Sequence, residues 1–162
     1  MQVRRISIGH LAAVAWLGVG LLLLTSCSAE VETPEVQIRR TLAALETAAE
    51  SGDVSGFKEL VSEQYTDAQG HDKQALGVYV AFQVMRNGNR HIVLRVRDVL
   101  VISPGSAEVT LIAGIGGTRG AGDALSLHGN VYQIDVDLEE EETGTWRLAW
   151  AQWKPAAAAE LL

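Results

Sequence analysis

The sequence predicts an α+β domain in which three amino-terminal helices pack on a curved antiparallel sheet of about four to six strands. Three observations support this prediction. Apolar residues recur every three to four positions between residues 34 and 86, which is typical of amphipathic helices. From residue 92 onward, stretches of alternating apolar and polar residues indicate half-buried strands. Three helical patterns, with a brief extended piece at residues 65–69 before the third, are followed by about four long strand patterns, and this order indicates the α+β class.

The first 27 residues have the layout of a secretory signal. Arg4 and Arg5 provide a positive start, residues 11–24 form an apolar run, and two small residues precede Cys27. At about 14 residues, the run is shorter than the roughly 20 that cross a bilayer as a helix. The Leu-Thr-Ser-Cys end of this segment resembles the bacterial lipobox, which implies removal of residues 1–26 as a lipoprotein signal peptide and lipidation of Cys27.

Lipidation of Cys27 implies that the membrane is a partner of this chain. Buried acyl chains contribute about 0.8 kcal/mol per methylene, so several chains together anchor a protein stably. Ser28 stands where enterobacterial lipoproteins retained at the inner membrane usually have Asp, and this resemblance favours the periplasmic side of the outer membrane. Residues 27–32 are then the acylated cysteine and a short tether. The alternative is an uncleaved membrane anchor in which Cys27 is incidental.

Three helix signals follow the tether. Pro34, between a threonine and a glutamate, opens the first helix, which Gly52 ends. Asp53 caps a second, shorter helix, and Asp72 caps a third. The third helix runs to about Arg86, where Asn-Gly-Asn stops it.

The second half of the chain carries the strand signals. Residues 92–102 and 107–115 are rich in aliphatic and β-branched residues, with a Ser-Pro-Gly turn between them. Further along, the apolar positions change from odd to even numbers, which predicts a bulge near Gly129 and Asn130. Residues 146–153 form the last predicted strand.

This pattern predicts one domain over residues 33–154 and a frayed tail over residues 155–162. The glycine-rich segment 116–122 superficially resembles a phosphate loop. However, no Lys-Ser/Thr follows it and no helix starts there, so we expect a mobile hairpin tip instead.

Residues 38–70 resemble the opening of the nuclear transport factor 2-like (NTF2-like) superfamily: a helix, a Gly-Asp break, a short helix, then a strand that ends in glycine. The Thr-Trp-Arg-Leu at residues 145–148 resembles the last strand of the same superfamily. The resemblance covers roughly residues 33–154 and implies a cone with a cavity between helices and sheet. The superfamily includes steroid isomerases, polyketide cyclases, dehydratases, non-catalytic binding modules and frequent homodimers, so the fold leaves the function open.

Asp67 is the first catalytic candidate, because the resemblance implies that steroid isomerases place their general base near this position. A carboxylate at the floor of an apolar pocket has a raised pKa and can move a proton between carbons. Such an enzyme also needs oxyanion donors, and the position of the tyrosine of those enzymes falls near Leu45, an apolar residue. The alternative, which the sequence favours, is a turn-forming aspartate before Gly70.

His71 and Tyr65 complete the catalytic candidates. Next to Asp72, and with Asp67 or Tyr65 nearby, His71 could supply an oriented imidazole for general acid/base chemistry. The simpler interpretation, which we favour, makes Asp72 a helix cap and His71 a surface loop residue. Because no complete catalytic set is recognisable, an enzyme is the less favoured class.

Composition excludes several kinds of function. Asp and Glu number 20 against 13 Lys and Arg, and the resulting net charge of −7 argues against binding nucleic acid through a basic surface. The four histidines lack the spacing of metal ligands, and the single cysteine is assigned to lipid. We therefore expect no metal site, no cofactor and no nucleic-acid partner.

The tryptophans of the last strand predict both core and interface. One or two of Trp146, Trp150 and Trp153 should lie in the core, and a third on the exposed sheet face would suit a homodimer. Cross-strand ion pairs are also expected, between Arg95 or Arg97 and Asp135 or Asp137.

The leading hypothesis is a lipid-anchored periplasmic module without catalytic activity, which binds a small apolar ligand in its cavity or a protein partner. The alternative is an isomerase- or dehydratase-like enzyme that uses Asp67 or His71 as its base.

Overall fold

In the computed structural model, residues 32–86, 91–117 and 126–161 are described. Three helices come first, with one strand between the second and the third: α1 (Pro34–Ser51), α2 (Val54–Glu59), β1 (Val61–Asp67) and α3 (Lys73–Arg86). Four long strands follow: β2 (His91–Ser103), β3 (Ser106–Gly117), β4 (Ser126–Glu140) and β5 (Trp146–Ala156). The predicted α+β class and the three helices are confirmed.

The helix boundaries follow from capping residues. α1 ends at Gly52, whose φ of 78° lies in the left-handed region that glycine adopts without strain. The carboxylate of Asp53 accepts the backbone N–H of Gly56 at 2.9 Å and starts α2. Asp72 accepts the N–H of Ala75 at 2.8 Å and starts α3, as the sequence predicts. None of the helices in the described part of the chain has the length and apolarity needed to span a bilayer.

The five strands form one curved sheet in the order β1-β5-β4-β3-β2. The four long strands pair antiparallel, whereas β1 runs parallel to β5 at the edge. The sheet is therefore mixed rather than wholly antiparallel. A parallel pair needs a long connection, and α3 with strands β2 to β4 lies between β1 and β5 in the chain.

Two irregularities on β4 and β5 decide which side chains face the helices. The register of β3 against β4 shifts between Gly114 and Gly116, which confirms the bulge predicted near Gly129. On β5, Leu148 pairs with Leu138 but Trp150 pairs with Asp137, so the strand bulges in between.

The bulge on β5 separates the three tryptophans. Trp146 is buried in the core under α1, and Trp153 lies on the same helix-facing side, stacked on Tyr79 with ring centroids 6.4 Å apart. Trp150 lies on the opposite face of the sheet, which we call the outer face. One of the three tryptophans lies outside the core, as predicted. It is Trp150, whereas a strand without a bulge would have placed Trp153 there.

The tail beyond residue 154 is not frayed, contrary to the prediction. β5 continues to Ala156, a 3₁₀ turn spans Ala158–Glu160, and Leu161 is buried on the outer face. Leu161 packs with Ile112 and Val131. This apolar contact is what orders the tail.

The predicted cross-strand ion pairs are wrong, because β3 lies between β2 and β4. Arg95 and Arg97 instead donate to the backbone carbonyls of Leu161 and Glu160 in the terminal turn. The predicted signal peptide, Cys27, nearly all of the tether and most of the glycine-rich segment 116–122 lie outside the described residues.

Candidate functional site

Asp67 closes β1 and lies beneath the turn that leads to α3. Its side chain is only 1% exposed. Oδ1 accepts the backbone N–H groups of Gln69 and His71, each at 2.9 Å, and Oδ2 lies 2.9 Å from Nδ1 of His71. All three contacts are local, so Asp67 organises the turn before Gly70, as its turn-forming interpretation requires.

These contacts set the acidity of Asp67. Burial acts to raise its pKa, but the hydrogen bonds from His71 and Gln69 outweigh burial and hold the pKa of Asp67 below its ordinary value. A general base that takes a proton from carbon works best with a pKa raised toward neutrality. The electrostatics of Asp67 therefore differ from those of such a base.

His71 is the exposed member of this pair. Its side chain is 54% exposed, and Nδ1 contacts the buried carboxylate of Asp67. Nε2 makes no hydrogen bond to any described residue. His71 is thus an oriented imidazole, but its partner is Asp67, because Asp72 is engaged in capping α3.

Tyr65 lies two residues before Asp67, and both side chains face the interior. Tyr65 is 3% exposed, and its hydroxyl has no hydrogen-bond partner among the described residues. Burial, reinforced by the negative charge of Asp67, raises the pKa of Tyr65 well above its usual range. A neutral hydroxyl of this kind can donate a hydrogen bond but cannot serve as a base near neutral pH.

The interior between helices and sheet is occupied by the side chains of the core. The buried ones come from α1, β1, β3, β4 and β5, and partly buried side chains of α2, α3 and β2 pack against them. The largest fully buried ones facing the helices are Trp146, Ile38, Leu138, Val61 and Val109. Tyr65 belongs to this same cluster. The three catalytic candidates therefore come close to one another beside a packed core.

Tyr65, Asp67 and His71 line neither of two surface hollows that described residues form. The first, about 490 Å³, lies beside the β4–β5 hairpin, and its polar lining includes the four consecutive glutamates of residues 139–142. The second, about 400 Å³, lies on the outer face, and its side chains include Leu100, Glu108, Asp137 and Trp150. No group of three or more potential metal ligands occurs within the described ranges.

The outer-face hollow is the feature that the sequence did not reveal. Its residues come from four strands and are far apart in the chain. The sequence shows Asp135 and Asp137 as alternate residues of one predicted strand. That Asp137 lies opposite Glu108 depends on the register of β3 and β4, which the sequence does not give.

Comparison with known proteins identifies the architecture. No protein-family profile and no curated protein matches the chain. Solved structures do match: a ketosteroid isomerase-like protein from Erwinia carotovora atroseptica has a TM-score of 0.56 and 16% identity, covering 75% of this chain and 95% of that one. An NTF2-like protein with a cystatin-like fold from Novosphingobium aromaticivorans has a TM-score of 0.57 and 16% identity, covering 98% and 99%. The chain has the NTF2-like fold.

A candidate dehydratase from the NTF2-like family of Streptomyces avermitilis is similar as well, with a TM-score of 0.56 and 20% identity over 78% of this chain and all of that one. The resemblance read from the sequence is thereby confirmed at the level of the fold. NTF2-like proteins with this architecture include ones named after isomerases and dehydratases. Because the fold supports many activities, the assignment of function must come from the residues of this chain.

Proposed function

We propose that this chain is a lipid-anchored protein of the bacterial envelope, attached through Cys27, whose NTF2-like domain binds a protein partner and has no catalytic role. The observation that carries the proposal is the state of Asp67. Its carboxylate is engaged by two backbone N–H groups and one imidazole, and it faces a packed interior. A site for chemistry on a small molecule needs an accessible hollow beside its reactive groups.

The packed interior also favours a protein partner over a small apolar ligand. Described side chains form a buried apolar cluster between the helices and the sheet, whereas the two hollows lie on polar surfaces. Ligand pockets are usually concave and mostly apolar, with a few polar groups. The outer face offers instead an exposed strand surface with a half-buried tryptophan, a residue type that is enriched at protein interfaces.

The anchor is tested by expressing the full chain in an enterobacterial host with radiolabelled palmitate. We expect the wild type to carry label and to fractionate with the outer membrane. Cys27→Ala should lose the label and remain as the uncleaved precursor, while Ser28→Ala, the matched control, keeps both properties. Label that persists on Cys27→Ala would contradict lipidation at this residue, and an inner-membrane location of the wild type would contradict the proposed address.

The absence of a catalytic role is tested with the purified full chain in a mild detergent. We expect a β,γ-unsaturated ketosteroid and a β-hydroxyacyl thioester to react no faster with the wild type than with Asp67→Asn. Mass spectrometry of the purified protein should likewise find no retained small molecule. Turnover that disappears in Asp67→Asn would refute the proposal.

One observation favours the alternative, an isomerase- or dehydratase-like enzyme. Nδ1 of His71 is held 2.9 Å from a buried carboxylate, which leaves Nε2 exposed to act as a base. In that case His71→Ala would abolish turnover, and the pH profile of the wild type would follow an imidazole. The same substrate assay therefore decides between the two functions.

A further inference from the structure

The outer face presents a row of four side chains that crosses four neighbouring strands of the sheet, from the edge strand β2 to β5. The strand registers align Leu100 of β2 with Glu108 of β3, Glu108 with Asp137 of β4, and Asp137 with Trp150 of β5. All four line the 400 Å³ hollow. Two acidic residues thus lie side by side, with an aliphatic residue on one flank and an aromatic residue on the other.

The two central carboxylates are not compensated within the described chain. Glu108 and Asp137 stand directly opposite each other, and side chains in such positions are about 5 Å apart at Cβ. Neither makes a hydrogen bond or an ion pair with a described residue. Burial, followed by the charges of Glu108 and Glu139, raises the pKa of Asp137. Like charges in this position destabilise a sheet.

The neighbouring row shows how this chain satisfies an acid when its role is structural. Asp135 accepts hydrogen bonds from Thr110 at 3.0 Å, from Gln133 at 3.0 Å and from Gln152 at 3.2 Å. The contrast between Asp135 and Asp137, two residues apart on one strand, sets the central pair apart from the rest of the sheet.

The flanks of the row supply apolar surface. Leu100 is 53% exposed, and Ile102 beyond it on β2 is exposed as well. Trp150, on the other flank, is partly buried and forms one wall of the hollow. The face of a tryptophan attracts a cation, and the guanidinium of Arg is the protein cation most often found there. A different part of the outer face, around Ile112 and Val131, is covered by Leu161 of the terminal turn.

Charge argues against a second copy of this chain as the occupant. A two-fold dimer whose axis passes through this row would bring the acidic pairs of both copies together. Like charges brought together in an interface cost several kcal/mol. The homodimer expected from the sequence is therefore disfavoured at this surface, and a partner of opposite charge fits it.

We propose that the outer face docks a basic segment of a partner protein, with one arginine or lysine side chain bound between Glu108 and Asp137 and its apolar neighbours packed on Leu100 and Trp150. This inference rests on the proposed binding role of the domain and names the chemistry of the partner. A guanidinium placed there can donate to both carboxylates at once and stack on the indole.

The test uses the full chain in a non-ionic detergent and, as probe, an acetylated and amidated nonapeptide of alternating arginine and valine. Calorimetric titration measures its affinity for the wild type and for two double variants. Glu108→Gln with Asp137→Asn removes the central pair. Glu35→Gln with Glu59→Gln, the matched control, removes the same charge from exposed helix positions on the other side of the sheet.

We expect the central double variant to bind the peptide at least tenfold more weakly and the control variant to stay within twofold of the wild type. Trp150→Leu, which keeps all charges, should weaken binding several-fold. Equal losses in both double variants would show only unspecific attraction by net charge and would overturn the proposal. So would a wild-type dimer, seen by sedimentation, that excludes the peptide. The readout depends neither on lipidation nor on turnover, so it can fail while the anchoring and non-catalytic claims stand.

Discussion

At the scale of single residues, the hydroxyl of Tyr65 is a buried polar group without a partner among the described residues. Leaving such a group unsatisfied costs about 1–3 kcal/mol. We expect Tyr65→Phe, which removes only this oxygen, to raise the free energy of unfolding by about 1 kcal/mol. Urea denaturation measures the difference. A comparable loss of stability would instead mean that the hydroxyl bonds to a group inside the fold.

Asp67 makes the opposite prediction, because its carboxylate is fully engaged. Asp67→Asn should lower the free energy of unfolding at pH 7 by about 2 kcal/mol, since hydrogen bonds to a charged group are lost. The pKa of Asp67 is lowered by folding, so its contribution is complete above the unfolded value of about 3.9 and is lost as the pH falls through the folded value. Denaturation curves at pH 7 and pH 2 check this. If the wild type and Asp67→Asn differed in free energy of unfolding by the same amount at both pH values, the charge of Asp67 would not be the stabilising feature.

These two residues show what local sequence predicts. The turn at Asp67 was predictable because its partners lie two and four residues along the chain. The sequence did not show which carboxylate pairs with His71, because Asp72 is adjacent to it and Asp67 lies four residues before it. The unsatisfied hydroxyl of Tyr65 could not be predicted, because it depends on side chains packed from distant elements.

At the scale of elements, Lys73 connects the start of α3 to β1. Its ammonium is largely buried and donates to the carbonyl of Val61 and to the carboxylate of Glu63, each at 2.7 Å. We expect Lys73→Met to lower the free energy of unfolding by about 2 kcal/mol, because the buried carbonyl loses its donor.

Glu63→Gln is the matched control for Lys73, because the Glu63 side chain is 82% exposed. Exposed ion pairs contribute little to stability. The control variant should therefore unfold at the same urea concentration as the wild type. If both variants lost the same stability, the ion pair rather than the bond to Val61 would be the important contact.

The elements differ in how far the sequence could predict them. Helix boundaries were predictable because Gly52, Asp53 and Asp72 act on the adjacent turn of chain. The parallel pairing of β1 with β5 joins segments about eighty residues apart, so no local pattern indicates it. The same reason explains the error over the tail, whose order comes from the contact of Leu161 with Ile112 and Val131.

At the scale of the whole molecule, the periods and order of helices and strands predicted the α+β class, and the resemblance of residues 38–70 and 145–148 to NTF2-like domains implied the NTF2-like fold. Function is a different matter. The proposed function depends on side chains that the sheet brings together, Glu108 and Asp137, and on the proposed lipidation of Cys27. A fold that hosts isomerase-like proteins and others can lose accessible acid/base groups in its interior and keep its architecture.

The central acidic pair links stability of the whole domain to its proposed binding. Glu108→Gln with Asp137→Asn removes a repulsion between facing carboxylates, so we expect the free energy of unfolding at pH 7 to rise by about 0.5 kcal/mol. Folding raises the pKa of Asp137, first through burial and then through the charges of Glu108 and Glu139. The destabilisation is therefore complete above the folded pKa and disappears below the unfolded value of about 3.9.

Thermal denaturation of the wild type and this double variant between pH 3 and pH 8 measures the effect. The double variant should be more stable than the wild type at pH 8 and equally stable at pH 3. Asp67→Asn, in contrast, should be less stable than the wild type at neutral pH. A variant that is both more stable and a weaker binder of the arginine peptide is what a functional surface predicts, because such a surface retains a repulsion that a partner relieves. A double variant that is less stable at every pH would show that the pair has a structural role instead.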